Sequence, residues 1–106
     1  MARPIHHLRP VHPSEVLRED YLAPLGMSVN ALPVALAVPA ARIYEIVKER
    51  RSVTADTAAR LAQYFGGDAA SWLVMQVNYD LKNLPTTQDI QRHVPVRKPI
   101  GKRLAV

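Results

Sequence analysis

A chain of 106 residues, with 14 Lys and Arg against 9 Asp and Glu, has room for one small domain and carries a formal net charge of +5. Its lack of cysteine excludes disulfides, thiolate zinc sites and a cysteine nucleophile, while the positive excess favours a polyanion or an acidic protein surface as partner. No apolar run approaches the ~20 residues that span a bilayer, and the N-terminus has no apolar signal core, so no membrane association and a cytoplasmic location are expected.

Residues 1–12 hold Arg3, His6, His7, Arg9 and His12, with prolines at 4 and 10. The prolines oppose a regular helix, so this stretch reads as an irregular basic arm. Its three histidines match no structural zinc spacing, and no metal or cofactor is expected. A first helix begins at Pro13 and runs to Leu22, with Glu15 in its first turn, where the helix dipole favours negative charge. Val16, Leu17 and Tyr21 face the core. Pro24 and Gly26 are expected to end the helix.

From Met27 to Val53 two short helices flank a tight corner. Leu32, Ala35 and Leu36 form one apolar stripe, and Ile43, Ile46 and Val47 another. With Ser28 as N-cap, Pro33 would lie a turn inside the second helix and remove a hydrogen bond. With Asn30 as cap, Pro33 falls in the first turn, where proline is tolerated. A late start or a local distortion is therefore expected. The corner calls for a left-handed residue, a conformation that costs Ala37 about 1 kcal/mol or more. Pro39 suits the first position of the third helix, Ala40 to Glu49. This helix presents Arg42, Tyr44 and Lys48 outward and is followed by Arg50 and Arg51. The arrangement describes a DNA-reading helix-turn-helix. It also fits a structural hairpin with a basic solvated face.

The fourth helix starts after Thr54, with Asp56 in its first turn. Ala58, Leu61, Ala62 and Phe65 make its inner stripe, and Gly66 and Gly67 close it. Asp68 caps a fifth helix over 69–84, which is apolar on two faces. Leu73, Val77, Leu81 and Leu84 form one stripe; Trp72, Met75 and Tyr79 form the other. A small domain needs one, so the second, with Gln76 beside it, reads as a homodimer seam. A fully buried central helix is the alternative. Residues 85–106 are broken by prolines and hold five Lys and Arg, with no acids after Asp89. They read as a basic tail, flexible in isolation. No catalytic constellation is present.

Four blocks carry a family likeness. HPSEVLREDYLAPLG (12–26) resembles the HPGEILREEFLEPLG opening of HigA-type antitoxins. VPAARIYEIV (38–47) is similar to the VPPRRINEIV of that family. RSVTADTAARLAQYFG (51–66) and WLVMQVNYDL (72–81) follow its RGITADTALRLARYFG and WLNLQAAYDL. The resemblance spans about residues 12–84 in register. It implies an all-α, five-helix domain of the Xre/lambda-repressor-like type over 13–84, dimeric through its last helix, with no enzymatic activity. It also implies a palindromic operator in the chain's own promoter and a HigB-type partner toxin, a RelE-like ribonuclease that cuts mRNA. The DNA-contacting set expected here is Ser28, Ala40, Ala41, Arg42, Tyr44, Lys48, Arg50 and Arg51. The expected dimer set is Trp72, Met75, Gln76 and Tyr79.

The chain departs from the family pattern within the reading unit. Val29 stands where Gln is common, Pro33 where a helix former is, and Ala37 where Gly is. Ala41 replaces a common Arg, and Tyr44 a common Asn. These changes motivate one alternative, a toxin-binding module with weakened DNA binding; a stand-alone Xre-family transcriptional regulator with no toxin is a further reading.

Overall fold

The computed structural model describes residues 10–98, which fold as an all-helical domain. The arm's His6 and His7, and the tail from residue 99, lie outside the described residues. The helices are α1 (Pro13–Val16), α2 (Ala23–Leu25), α3 (Ala31–Leu36), α4 (Ala40–Val47), α5 (Ala55–Phe65), α6 (Ala69–Lys82) and α7 (Thr87–His93). A π-helical segment, Leu17–Leu22, joins α1 to α2 in one continuous helical run. Among the described residues no helix is long and apolar enough to cross a membrane.

Three of these elements differ instructively from the sequence reading. First, Pro24 does not end the leading helix, which runs on to Leu25 before Gly26 turns left-handed at φ 62°. In an α-helix the proline ring would collide with the carbonyl four residues back. Here the preceding turn is widened, and Ala23 N–H bonds to Arg18 O, five residues back. Second, His12 is part of the packed domain, not of a basic arm. Its ring is buried, and Nδ1 accepts the Ser14 N–H at 3.1 Å, capping α1. An imidazole can accept this bond only while Nδ1 is unprotonated. Third, part of the expected flexible tail forms α7, whose residues are all exposed.

The core collects Leu17, Leu22, Leu32, Leu36, Ile43, Ile46, Val53, Ala58, Leu61 and Trp72. Tyr21 stacks obliquely on Phe65 and Trp72, with ring centroids 4.9 and 5.4 Å away. This core decides which residues of α6 face inward: Leu73 packs on it as expected, but so does the stripe assigned to the dimer seam. Trp72 and Gln76 are 3% and 5% exposed, so neither is available for a dimer seam. The indole fills the core. The Gln76 carboxamide accepts the buried Val53 N–H at 2.8 Å and donates to Asp80 at 2.9 Å. Met75 packs on the core, and Tyr79 lies half-buried, its ring meeting the edge of His12 at 4.8 Å. The outward stripe is Val74, Val77 and Leu81, at 57%, 52% and 62% exposure, continued by Leu84.

The reading unit folds around its awkward residues. Asn30 precedes α3, so Pro33 occupies the first turn and takes no donor from it. Ala37 ends α3 in the left-handed region, φ 57°, ψ 48°. Val38 N–H reaches back to Pro33 O at 3.0 Å, and Ala37 N–H to Val34 O at 3.2 Å, the double bond pattern of a Schellman cap. Glu49 repeats this after α4, with φ 61°. Arg50 N–H there bonds to Glu45 O at 2.8 Å, and Glu49 N–H to Ile46 O at 2.9 Å. Among the described residues, Ala37 and Glu49 are the two non-glycine residues with positive φ, and they bracket α4.

Two outcomes follow. Burial holds the His12 pKa below the ordinary value, against the opposing pull of Glu49 and Asp80 and with Arg18 nearby. The folded state then binds fewer protons than the unfolded chain below about pH 6.5, so this stability is complete above that value and lost as the pH falls through it. The melting temperature should drop between about pH 7.5 and about pH 5.5. His12→Asn, which keeps a cap acceptor that does not titrate in this range, should shrink the drop; an equal drop in both proteins refutes the assignment. Ala37→Gly should raise stability by roughly 0.5–1 kcal/mol, after the entropy that glycine adds to the unfolded chain. An unchanged denaturation midpoint would mean that Ala37 is not strained.

Candidate nucleic-acid interface

The α3–turn–α4 unit sets a two-turn helix on the surface. Ile43 and Ile46 turn into the core and fix its roll. Ala40, Ala41, Tyr44 and Lys48 are consequently exposed together, since positions four apart share a face. Ala40 and Ala41 leave the N-terminal end of this face without bulk, so a groove wall can approach the backbone closely.

Each polar member of the expected DNA-contacting set has a partner or a defined place. Ser28 Oγ accepts the Ala31 N–H at 3.2 Å, and a hydroxyl that accepts keeps its own hydrogen for donation. The Tyr44 hydroxyl donates to Asn30 Oδ1 and so ties α4 to the start of α3. Arg50 lies 3.9 Å from Glu45 and is largely exposed. Lys48 and Arg51 are exposed. Arg51, Arg42, Thr54, Asp56 and Thr57 line one shallow hollow of 240 Å³ at the N-terminus of α5. The Thr54 side chain makes no capping bond there. The hollow thus gathers the Arg42 and Arg51 guanidinium groups, the Thr54 hydroxyl and the positive end of an 11-residue helix around the Asp56 carboxylate.

Arg42 is the least free of these cations. Its guanidinium donates to Asp56 Oδ2, and its side chain is 29% exposed. The same carboxylate oxygen accepts Arg60 Nε at 2.9 Å. Arg60 extends further, donating to the carbonyls of Leu36 and Ala37 at 2.9 and 3.2 Å. Hydrogen bonds from Arg60 and then Arg42 hold the Asp56 carboxyl below the usual carboxylate range, so it is ionised at neutral pH. The other end of α4 is tied as well. Arg18 donates to Val47 O at 3.0 Å and to Ser14 Oγ at 3.3 Å. Tyr79 donates to Glu49 Oε1 at 3.3 Å. Burial, with Glu49 alongside, pushes the Tyr79 phenol above its usual value and keeps the donor protonated.

Sequence reasoning missed Asp56, Arg60, Asn30, Thr54 and Arg18 as members of this region. It read Asp56 as a helix-dipole residue. The signal for Arg60 and Asp56 was their i, i+4 spacing, but nothing local points from there to Leu36 or Arg42, 24 and 14 positions away.

The chain's relatives share this architecture. No protein-family model matches it. It is 62% identical over 72 residues to virulence-associated protein I of Dichelobacter nodosus, covering 68% of this chain and 67% of that protein. An addiction module antidote protein of the HigA family from Coxiella burnetii superposes with a TM-score of 0.78 at 39% identity, over 85% of this chain and all of the other. The Pseudomonas aeruginosa antitoxin HigA, solved with the higBA promoter, superposes with a TM-score of 0.75 at 35% identity, over 87% of this chain and all of that one. With a helix-turn-helix unit in the same fold, and 39% and 35% identity over 85% and 87% of the chain, the protein belongs to the HigA family of helix-turn-helix antitoxins.

Proposed function

We propose that the protein is a homodimeric, DNA-binding antitoxin that represses its own promoter and neutralises a HigB-type, RelE-like ribonuclease toxin, acting by binding and not by catalysis. The observation that carries the DNA reading is the exposed face of α4. Two alanines, Tyr44 and Lys48 stand clear of the core there, flanked by Arg42, Arg50 and Arg51. The solved Pseudomonas relative bound to promoter DNA supports it. In this reading Ala40, Ala41 and Tyr44 lie along the groove and Arg42 reaches a base edge or phosphate. Lys48, Arg50 and Arg51 hold phosphates, with Ser28 at a further one. The retained left-handed turn at Ala37 and the late start of α3 support the reading too, because the family departures at 33 and 37 leave the backbone of the unit intact.

The domain runs over 13–84, extended by the His12 cap, with an N-terminal arm before it and the 85–106 tail after it. The dimer seam is the outward stripe of α6, Val74, Val77, Leu81 and Leu84. Its spacing of three, four and three residues is that of a helix packing against a copy of itself. Reading two half-sites of a palindrome would require the α4 helices of the dimer to lie about 34 Å apart, one DNA turn.

A second reading keeps the fold and the toxin but not the operator. It is favoured by Val29, which packs half-buried against the core where family members commonly offer Gln to DNA.

Fluorescence anisotropy with a duplex from the chain's own upstream region and a scrambled duplex, at two salt concentrations, separates the readings. Specific binding that tolerates moderate salt is expected, with Arg42→Ala costing about 1–3 kcal/mol and Arg50→Ala mainly reducing the salt slope. Equal, salt-sensitive binding to both duplexes, with toxin neutralisation intact, would establish the second reading. For the seam, Val77→Asp with Leu81→Asp should convert the dimer to a monomer in sedimentation while leaving the helical signal unchanged. A dimer that survives this pair of charges would place the interface elsewhere.

A further inference from the structure

The carboxylate of Asp56 joins two cations from different elements. Arg42 comes from α4, the proposed reading helix. Arg60 comes from α5 and is itself bonded to the Leu36 and Ala37 carbonyls of the α3–α4 turn. The chain of contacts runs from the turn through Arg60 and Asp56 to Arg42. Asp56 is more than half exposed, a setting in which ion pairs add little to stability. The arrangement therefore adds little to global stability, and its effect falls on the orientation of Arg42.

Its effect on DNA reading is direct. An arginine side chain has many rotamers, and ordering it on binding weakens the complex. Asp56 engages one terminal nitrogen of Arg42 and leaves further donors of the planar fork for a ligand. The carboxylate also stands in the hollow that Arg51 and Thr54 line, where it opposes any phosphate that approaches without the compensating contacts of the correct site. The first effect strengthens the complex with the right DNA and the second weakens complexes with wrong DNA.

We propose that Asp56 is a positioning residue for sequence discrimination, holding Arg42 in its reading orientation against an anchor that Arg60 makes to the α3–α4 turn. The inference rests on the operator-binding reading given above.

The test is a ratio, the affinity for the upstream duplex over that for the scrambled duplex, measured on the full chain at fixed salt. Asp56→Ala should bind the scrambled duplex more tightly and lower the ratio about tenfold. Asp56→Glu, which can still reach both guanidinium groups, should restore most of the ratio. Arg60→Gln changes net charge in the opposite direction, weakening binding to both duplexes, and should still lower the ratio. Asp89→Ala, on α7, adds the same charge as Asp56→Ala without touching α4, so it should strengthen both complexes and keep the ratio. All four variants should melt near the wild-type temperature. If Asp56→Ala only mirrors Asp89→Ala, shifting both duplexes alike, the positioning role is refuted while operator binding stands. If the wild-type chain itself binds both duplexes equally, operator reading fails, and this inference with it.

Discussion

A helix of two turns cannot set its own direction. α4 buries two isoleucines, which fix its roll, but its ends would fray without outside partners. The structure supplies them from four other elements. Arg18 in the π-helical segment holds the last carbonyl, and Asn30 ahead of α3 holds Tyr44. Asp56 of α5 holds Arg42, and Tyr79 of α6 holds the Glu49 side chain in the turn beyond. Each left-handed residue closes the helix before it: at Ala37 the chain folds back onto the last carbonyls of α3, and at Glu49 onto those of α4. The geometry of the reading unit is thus a property of the whole domain.

Much of this fold is legible in the sequence, for an identifiable reason. Apolar residues at three- and four-residue spacing, Thr54 and Asp68 at helix starts and the Gly66–Gly67 pair after Phe65 are local signals, and local signals locate helices. The strained corner at Ala37 is legible because a tight turn between two stripes demands a conformation that alanine supplies at a cost. The extension of the first helix beyond Pro24 is not, because it depends on a wider turn whose only sign is a proline that normally forbids it. Glu49 is hidden for a similar reason: nothing near it announces a left-handed residue, and its side chain is held by a tyrosine 30 positions away.

The faces of α6 show the limit of periodicity. A helix with two apolar stripes offers no internal criterion for choosing the inward one. Here an unfilled backbone donor is decisive. Val53 N–H is buried in the loop before α5, and a buried donor without an acceptor is costly. Gln76 is the residue that answers it, and the stripe containing Gln76 turns inward with Trp72. A polar residue in an apolar stripe, read in sequence as part of a wet seam, is the one that the loop requires inside.

The separation between what holds α4 and what α4 presents has a consequence for how such a protein changes over evolutionary time. Ala40, Ala41 and Lys48 make no core contact, and exchanges at exposed positions of this kind usually alter stability by less than about 0.5 kcal/mol. The supports lie outside α4, in the π-helical segment, ahead of α3, and on α5 and α6. Binding preference can therefore drift by single substitutions at three positions while the scaffold stays under its own, separate selection. Tyr44 and Arg42 are the exceptions. Each belongs to both sets, and a change there alters the presented face and releases Asn30 or Asp56 in one step.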